Sequence, residues 1–309
     1  MRRKFGVLAL AMLLVVAVSL TGCGKSSGTS GTGGDQSQQR VTLQFLTMKQ
    51  AAYSDTDVNN MVAQFKQENP NVDVQVTYVP YESLHDKIVT DQASGSGQYD
   101  VVLIDGIWPG EFAKAGFVLD VTDRYTKDME DGIFPSAFQN VDFKGRHYGI
   151  PWIQDTKFFF YNKKILADAG ITTPPTTWDD VMKDAKIIKD KGLVKYPIAW
   201  SWGQAEALIC DYDTLVYSFG GKILEDDAQP KVQEGGALDA LKFMVQSLKD
   251  GLSNPNSTAS LEDDVRQVFS QGQAAFALNW TYMFALANDP AQSKVCLLYT
   301  SPSPRDRQK

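Results

Sequence analysis

Several short segments of this 309-residue chain set an aromatic ring beside a carboxylate or an amide. Asp105 and Trp108 follow one apolar run. Trp152 and Asp155 flank Ile153-Gln154. Trp202 stands just before Gln204 and Glu206, and Asn279, Trp280 and Tyr282 close a second apolar run. These residue types suit a molecule with two unlike surfaces. Apolar C–H faces rest on aromatic planes, and a rim of hydroxyls needs charged or amide hydrogen-bonding partners. A sugar is built that way, and a polyamine also uses aromatics and carboxylates. Each residue has a plainer role too. Asp105 can cap a helix, Trp108 can pack against the next helix, and Trp152 can pack at a hinge. Trp200 and Trp202 share a face at period two, so one can line a cleft while the other packs; Trp202 is the expected lining residue. Met48 and Lys49 are rim candidates.

The elements that must position these residues alternate. Residues 41–47 read as a strand, 55–68 as a helix striped by Val58, Met61, Val62 and Phe65, and 72–79 as a second strand. A helix through Leu84 and Ile88 follows, then a continuous apolar run over 99–105 that suits a strand buried on both faces. The second half predicts strands at 158–161, 196–200 and 274–278. It predicts helices from Thr177, over 204–219, over 235–250 (striped by Leu238, Leu241, Val245 and Leu248), and from a capping box at Ser260. Strand–helix alternation predicts α/β architecture with a largely parallel sheet, in two lobes. In such sheets ligands bind where strands end, which is where the aromatic and carboxylate pairs fall.

Composition excludes several classes. A formal charge of −7 without basic clusters argues against nucleic acid as a partner. Cys23, Cys210 and Cys296 are too scattered for a disulfide framework, and with only His85 and His147 no metal centre or cofactor is expected. Asp55-x-Asp57 and Asp211-x-Asp213 read as a helix start and a solvated face, Cys210 as an inert buried thiol. Two well-placed carboxylates could serve a glycoside hydrolase, but no nucleophile-elbow, metal-ligand or phosphate-cradle motif is present, so an enzyme is not expected.

The amino terminus carries its own signal. Arg2, Arg3 and Lys4 precede an apolar run to Leu20, too short for a membrane span, and Leu20-Thr21-Gly22-Cys23 resembles the lipobox of bacterial lipoproteins. That resemblance implies a signal peptide over 1–22, lipidation of Cys23, and an extracytoplasmic protein anchored to the cell membrane. Residues 23–40, rich in Gly, Ser, Thr and Gln, read as a flexible tether.

A family resemblance follows from motifs in order. Phe65-x-x-Glu68-Asn69-Pro70-x-Val72, Tyr99-Asp100-Val101-Val102 and Trp108-x-x-Glu111-Phe112-Ala113-x-x-Gly116 resemble the first lobe of family 1 extracellular solute-binding proteins, relatives of maltose-binding protein. Gly145 to Trp152, Asp155-Thr156 and Tyr161-Asn162-Lys163 are similar to that family's crossover. Ala169-Gly170-Ile171, Pro175-Thr176-Thr177-Trp178 and Phe269-x-x-Gly272-Gln273-Ala274-Ala275-Phe276 are similar to its second lobe. The resemblance implies a periplasmic-binding-protein fold of class II type, incomplete at the C-terminus, with lobes over 41–150 and 151–290 and closure by hinge bending. It implies a hydroxyl-binding carboxylate at Asp155 and an aromatic platform at Trp280 or Tyr282. It further implies a monomer that delivers a sugar to an ABC permease, with a polyamine, peptide or other small solute as the alternative ligand. Residues 291–295 should begin a return to the first lobe. Residues 296–309 begin Cys-Leu-Leu-Tyr-Thr-Ser-Pro-Ser-Pro-Arg-Asp, the translation of a transposase mosaic-end adapter used in sequencing libraries. The expectation is that the natural chain continues differently after Val295.

Overall fold

The computed structural model describes residues 40–49, 53–225, 227–295 and 298–301. The expected signal peptide, the lipidated Cys23 and the tether up to residue 39 lie outside them. The first lobe is built on β1 (Val41–Met48), α1 (Asp55–Glu68), β2 (Val72–Val79), α2 (Tyr81–Ser94), β3 (Val101–Val102) and α3 (Pro109–Ala115). The strand order is β2-β1-β3, all parallel, with Phe45 opposite Val76 on one side and Val101 on the other. Regular pairing of β3 is shorter than the predicted 99–105, and the strand is not buried on both faces, since Val101 is 47% exposed. Even so, the Asp100 N–H still donates to the Gln44 carbonyl (2.9 Å) and the Leu103 N–H to that of Leu46 (2.8 Å). The chain then turns at Asp105, whose carbonyl accepts the Trp108 N–H at 3.0 Å.

Helix α1 starts where the sequence says it should. Ser54 and Asp57 form a reciprocal capping box, so Asp57 serves the helix start. Of its apolar stripe only Val58 is buried, while Met61 and Phe65 are exposed. The core of this lobe gathers Leu46, Val79, Leu84, Ile88 and Phe112 around Trp108. Short helices α4 (Lys127–Gly132) and α5 (Pro135–Phe138) and an antiparallel pair, β4 (Asp142–Phe143) with β5 (Arg146–His147), complete it.

The second lobe comprises β6 (Lys157–Asn162), α6 (Lys163–Asp168), α7 (Trp178–Asp190), β7 (Ile198–Ala199), α8 (Glu206–Ser218), α9 (Gly235–Lys249), α10 (Glu262–Ser270), β8 (Phe276–Trp280), α11 (Tyr282–Asn288) and β9 (Leu298–Ser301). Its sheet is mixed, in the order β7-β8-β6-β9. β7 runs parallel to β8, and β6 runs antiparallel to both of its neighbours. Strand β6 is apolar on both faces for a visible reason. Phe159 and Tyr161 join the core beneath α7, α8 and α9, while Phe160 joins Phe269, Met283 and Val295 on the other side. Residues 291–295, expected to begin a return to the first lobe, lie here against the second. The Lys294 N–H donates to the Ser270 carbonyl at 2.8 Å, and Val295 is buried.

Two further details depart from the sequence expectation. Helix α9 buries Ala237, Ala240, Met244 and Ser247, and leaves Leu241 and Val245 exposed. Close packing decides this: a Cβ on Gly236 would stand 2.5 Å from the Gly221 nitrogen, so the small-residue face goes inward. At α10 the cap shifts by one residue. Asp264 accepts the Leu261 N–H at 2.9 Å, while the Ser260 hydroxyl donates to the Asn256 carbonyl.

Candidate functional site

A cleft of 1710 Å³ takes residues from both lobes. From the first lobe comes Tyr81, delivered by the first turn of α2 immediately after β2 and Pro80. Its ring stacks on Trp108 with centroids 5.8 Å apart and planes 18° apart. Its hydroxyl lies 3.3 Å from Asp105 Oδ2 and in close hydrogen-bond contact with Glu206 Oε2, the latter from the second lobe. Burial first, then the two carboxylates, push the phenol pKa up. Burial also pushes Glu206 up, and the charges of Asp105 and Glu262 add to it against the Tyr81 hydrogen bond.

Asp105 therefore faces the cleft and does not cap α3; its Oδ1 accepts the Ile107 N–H at 3.1 Å. Trp108 is only 7% exposed, wedged among Tyr81, His85 and Phe112, so the face turned to the cleft is that of Tyr81. Trp152 lines the cleft, stacked on Tyr53 at 5.4 Å and tilted against Phe45. Met48 and Lys49 lie along the same wall.

Asp155 sits at the crossover, where its Oδ1 accepts the Thr281 hydroxyl at 2.5 Å and the Thr156 N–H at 2.7 Å. This ties the crossover to the end of β8 and brings Asp155, Trp280 and Tyr282 together on the cleft wall. Trp280 and Tyr282 both line the cleft, so the two platform candidates are neighbours and not alternatives. Burial, then Asp263 and Glu262, raise the pKa of the Tyr282 phenol.

Two further expected site residues, like Trp108, are placed in the interior. Trp202, 4% exposed, stacks on the fully buried Trp200 at 5.0 Å and 12°. Period two does give the pair one face, but that face is the core. The loop holds it there: the Trp202 N–H donates to the Ser257 carbonyl at 2.9 Å, and a Cβ on Gly203 would meet the Ser260 oxygen at 2.9 Å. Gln204 is exposed beside it. Asn279, 0% exposed, spends its amide inside the protein. Its Nδ2 donates to the Glu262 carbonyl at 2.8 Å and its Oδ1 accepts the Trp280 N–H.

Sequence reasoning missed three residues. Tyr81 follows a strand end just as Asp105 does, a signal that was available. Glu262, absorbed into a helix start, lines the cleft and accepts the Trp280 indole N–H at 3.1 Å. Lys157 opens β6 and points inward. Its Nζ donates to Asp211 at 2.6 Å, Ser201 at 3.3 Å and Glu262 at 3.4 Å. Asp211 is thus no solvated face: it is 0% exposed and ion-paired. Burial pulls the Lys157 ammonium pKa down, but Asp211 and Glu262 outweigh this and it ends above the ordinary value. Cys210, beside Glu206, has its thiol pushed up to about 12, chiefly by burial. Among the described residues no group of three or more His, Cys, Asp or Glu could hold a metal ion, and no helix is long and apolar enough to cross a membrane.

The comparisons with known proteins agree with this geometry. Residues 51–295 match the profile of the bacterial extracellular solute-binding proteins. A binding protein of Brucella abortus is 28% identical over 250 residues, covering 81% of this chain and 59% of that protein. The mannitol-binding protein of Pseudomonas aeruginosa is 23% identical over 236 residues, covering 75% of this chain and 53% of its own length. Among solved structures, a maltose-bound protein of T. maritima superposes with a TM-score of 0.77 at 29% identity, over 86% of this chain and 69% of that one. The chain spans little more than half the length of the curated relatives it matches.

Proposed function

The chain belongs to the bacterial extracellular solute-binding protein family, and from that premise we propose that it captures a sugar or polyol between its lobes for an ABC importer. The observation that supports this most is the convergence on one cleft of Tyr81 and Asp105 from the first lobe with Glu206, Glu262, Trp280 and Tyr282 from the second. Rings supply stacking faces, and carboxylates accept hydroxyl protons in charge-assisted bonds. The Tyr81–Glu206 contact joins the two lobes across the cleft, and hinge closure over a ligand would bring these same walls together. On this reading the protein binds without turnover, and Asp155 joins the set at the crossover. Structural relatives whose names state a bound maltose or alpha-D-tagatose, at 29% and 27% identity, support the carbohydrate class.

A second reading has one observation in its favour. Asp105, Glu206, Glu262 and Asp263 outnumber the cations Lys49 and Arg124 along the cleft, which suits a polyamine. Isothermal titration with maltose, mannitol, tagatose and spermidine separates the two. Saturable, single-site binding of a sugar or polyol is expected; binding of spermidine alone would favour the second reading, and hydrolysis of a glycoside would overturn both. Lipid attachment at Cys23 completes the proposal, placing the protein beside its permease outside the cytoplasm. Membrane fractionation of the Cys23→Ala variant is expected to find it released.

A further inference from the structure

We infer that Lys157 is a specificity-determining residue, which commits the Trp280–Glu262 side of the cleft to neutral hydroxylated ligands and against organic ammonium ions. The inference rests on the reading of this cleft as a binding site and adds the charge class that its second-lobe wall selects.

The face of a tryptophan is among the best protein sites for a cation, and pairing it with a carboxylate makes the usual cradle for an ammonium ligand. Trp280 and Glu262 are such a pair, joined by the indole N–H bond to Oε1. Here the protein supplies the ammonium itself. Lys157 Nζ stands 5.1 Å from the Trp280 ring centroid and 3.4 Å from the same Glu262 oxygen. The side chain is 2% exposed, so this cation is delivered from behind the wall and is not a surface charge that solvent screens.

Its position is fixed by groups that leave it no alternative. Asp211 Oδ1 accepts from it at 2.6 Å, and Asp211 is held in turn by the Ser201 N–H and hydroxyl, both at 3.0 Å. The Glu262 backbone is pinned by Asn279. Lys157 thus anchors Glu262 and balances its charge from behind the wall, which removes much of the attraction that an incoming amine would need. A ligand hydroxyl meets no such conflict, because it brings a donor without a net charge. The Asp105–Tyr81–Glu206 group, which the two lobes share, is different: among the described residues it has no buried cation among its hydrogen-bond partners.

The test removes the cation without stranding its partner. Deleting one member of a buried ion pair leaves an unpaired buried charge, so Lys157→Met is combined with Asp211→Asn. Intrinsic tryptophan fluorescence is titrated with spermidine, and separately with mannitol and maltose, in the parent and double variant. The expected result is a gain in spermidine affinity of about tenfold or more, because Glu262 and the Trp280 ring then lose the positive charge held behind them. Spermidine binding that is unchanged or weaker in the folded double variant overturns the inference. Parent protein that binds spermidine as tightly as the better of the two carbohydrates overturns it as well, and this arm needs no variant to fold. Lys157→Arg, which keeps the charge, is expected to retain the parent's preference; a swing toward spermidine there would also overturn it. Failure of both carbohydrates to bind any of the proteins would strike the carbohydrate reading alone, since the spermidine arm is read independently.

Discussion

The two lobes present similar chemistry to the cleft but hold it by different means. In the first lobe Tyr81 leans on Trp108, and Asp105 is fixed by a turn; packing and local backbone geometry do the holding. In the second lobe Trp280 and Glu262 are fixed from behind by a buried ammonium, itself paired with Asp211. The cores differ in the same sense. Strand β6 is buried along nearly its whole length, whereas β1 buries only Leu46 and Thr47. A sheet packed on both faces can enclose an ion pair, because the surrounding apolar layers exclude water and make the pair's geometry decisive. A sheet with one well-filled face must rely on contacts nearer the surface.

That contrast can be broken experimentally, most forcefully in the cores. Phe276→Ala removes a fully buried ring that stacks on Phe159, and is expected to cost about 3–5 kcal/mol. Phe45→Ala, at a half-buried site in β1, is expected to cost less than about 3 kcal/mol. Equal losses in urea titrations would erase the proposed difference between the lobes. Next come the tryptophans. Trp280→Ala is expected to weaken binding of the preferred carbohydrate by roughly ten- to a hundredfold, about 1.4–2.8 kcal/mol. Trp202→Phe is expected to lower stability and leave affinity within about threefold, since its ring stacks in the core. A loss of affinity at Trp202 with intact folding would return that residue to the site.

The caps give a smaller and more even effect. Ser54 and Thr177 each close a capping box, on α1 and α7 respectively, and alanine at either is expected to cost about 1 kcal/mol by thermal or urea unfolding. A markedly larger effect at Thr177 would show that α7, packed through Trp178, Val181 and Ile188, transmits the loss into its lobe. The finest probe is Cys210. Its thiol is pushed up to about 12, so in a Cys23→Ala, Cys296→Ala background it should react with a disulfide reagent at pH 8 far more slowly than free cysteine. Rapid labelling would mean that the Glu206 edge of the cleft opens readily.

Much of the fold was legible because periodicity and strand ends are local signals. The parallel first sheet, the helix start at Asp55-x-Asp57, the Thr177 cap of α7 and the strand over 158–161 follow from side-chain order alone. The inward face of α9 was not legible. Its large residues mark the stripe that periodicity favours, but a Gly236–Gly221 approach turns the small ones inward. The site was legible in part. Asp105, Trp152, Asp155, Glu206, Trp280 and Tyr282 do meet on one cleft. Trp108, Trp202 and Asn279 could not be separated from them, because whether a ring at a strand end faces out depends on which loop crosses it. Lys157 was hidden for a more general reason. A lysine beside a strand reads as solvated until its acidic partner, 54 residues away, is brought next to it.

The phenol of Tyr81 carries one proton and stands between two carboxylates that could each accept it. Whatever bond it makes with Asp105, it cannot make at full strength with Glu206 at the same moment. A molecule bringing two hydroxyls would carry two protons, one for each acceptor. The cleft therefore keeps a tally of donors, on which a diol outscores the protein's own side chain by one.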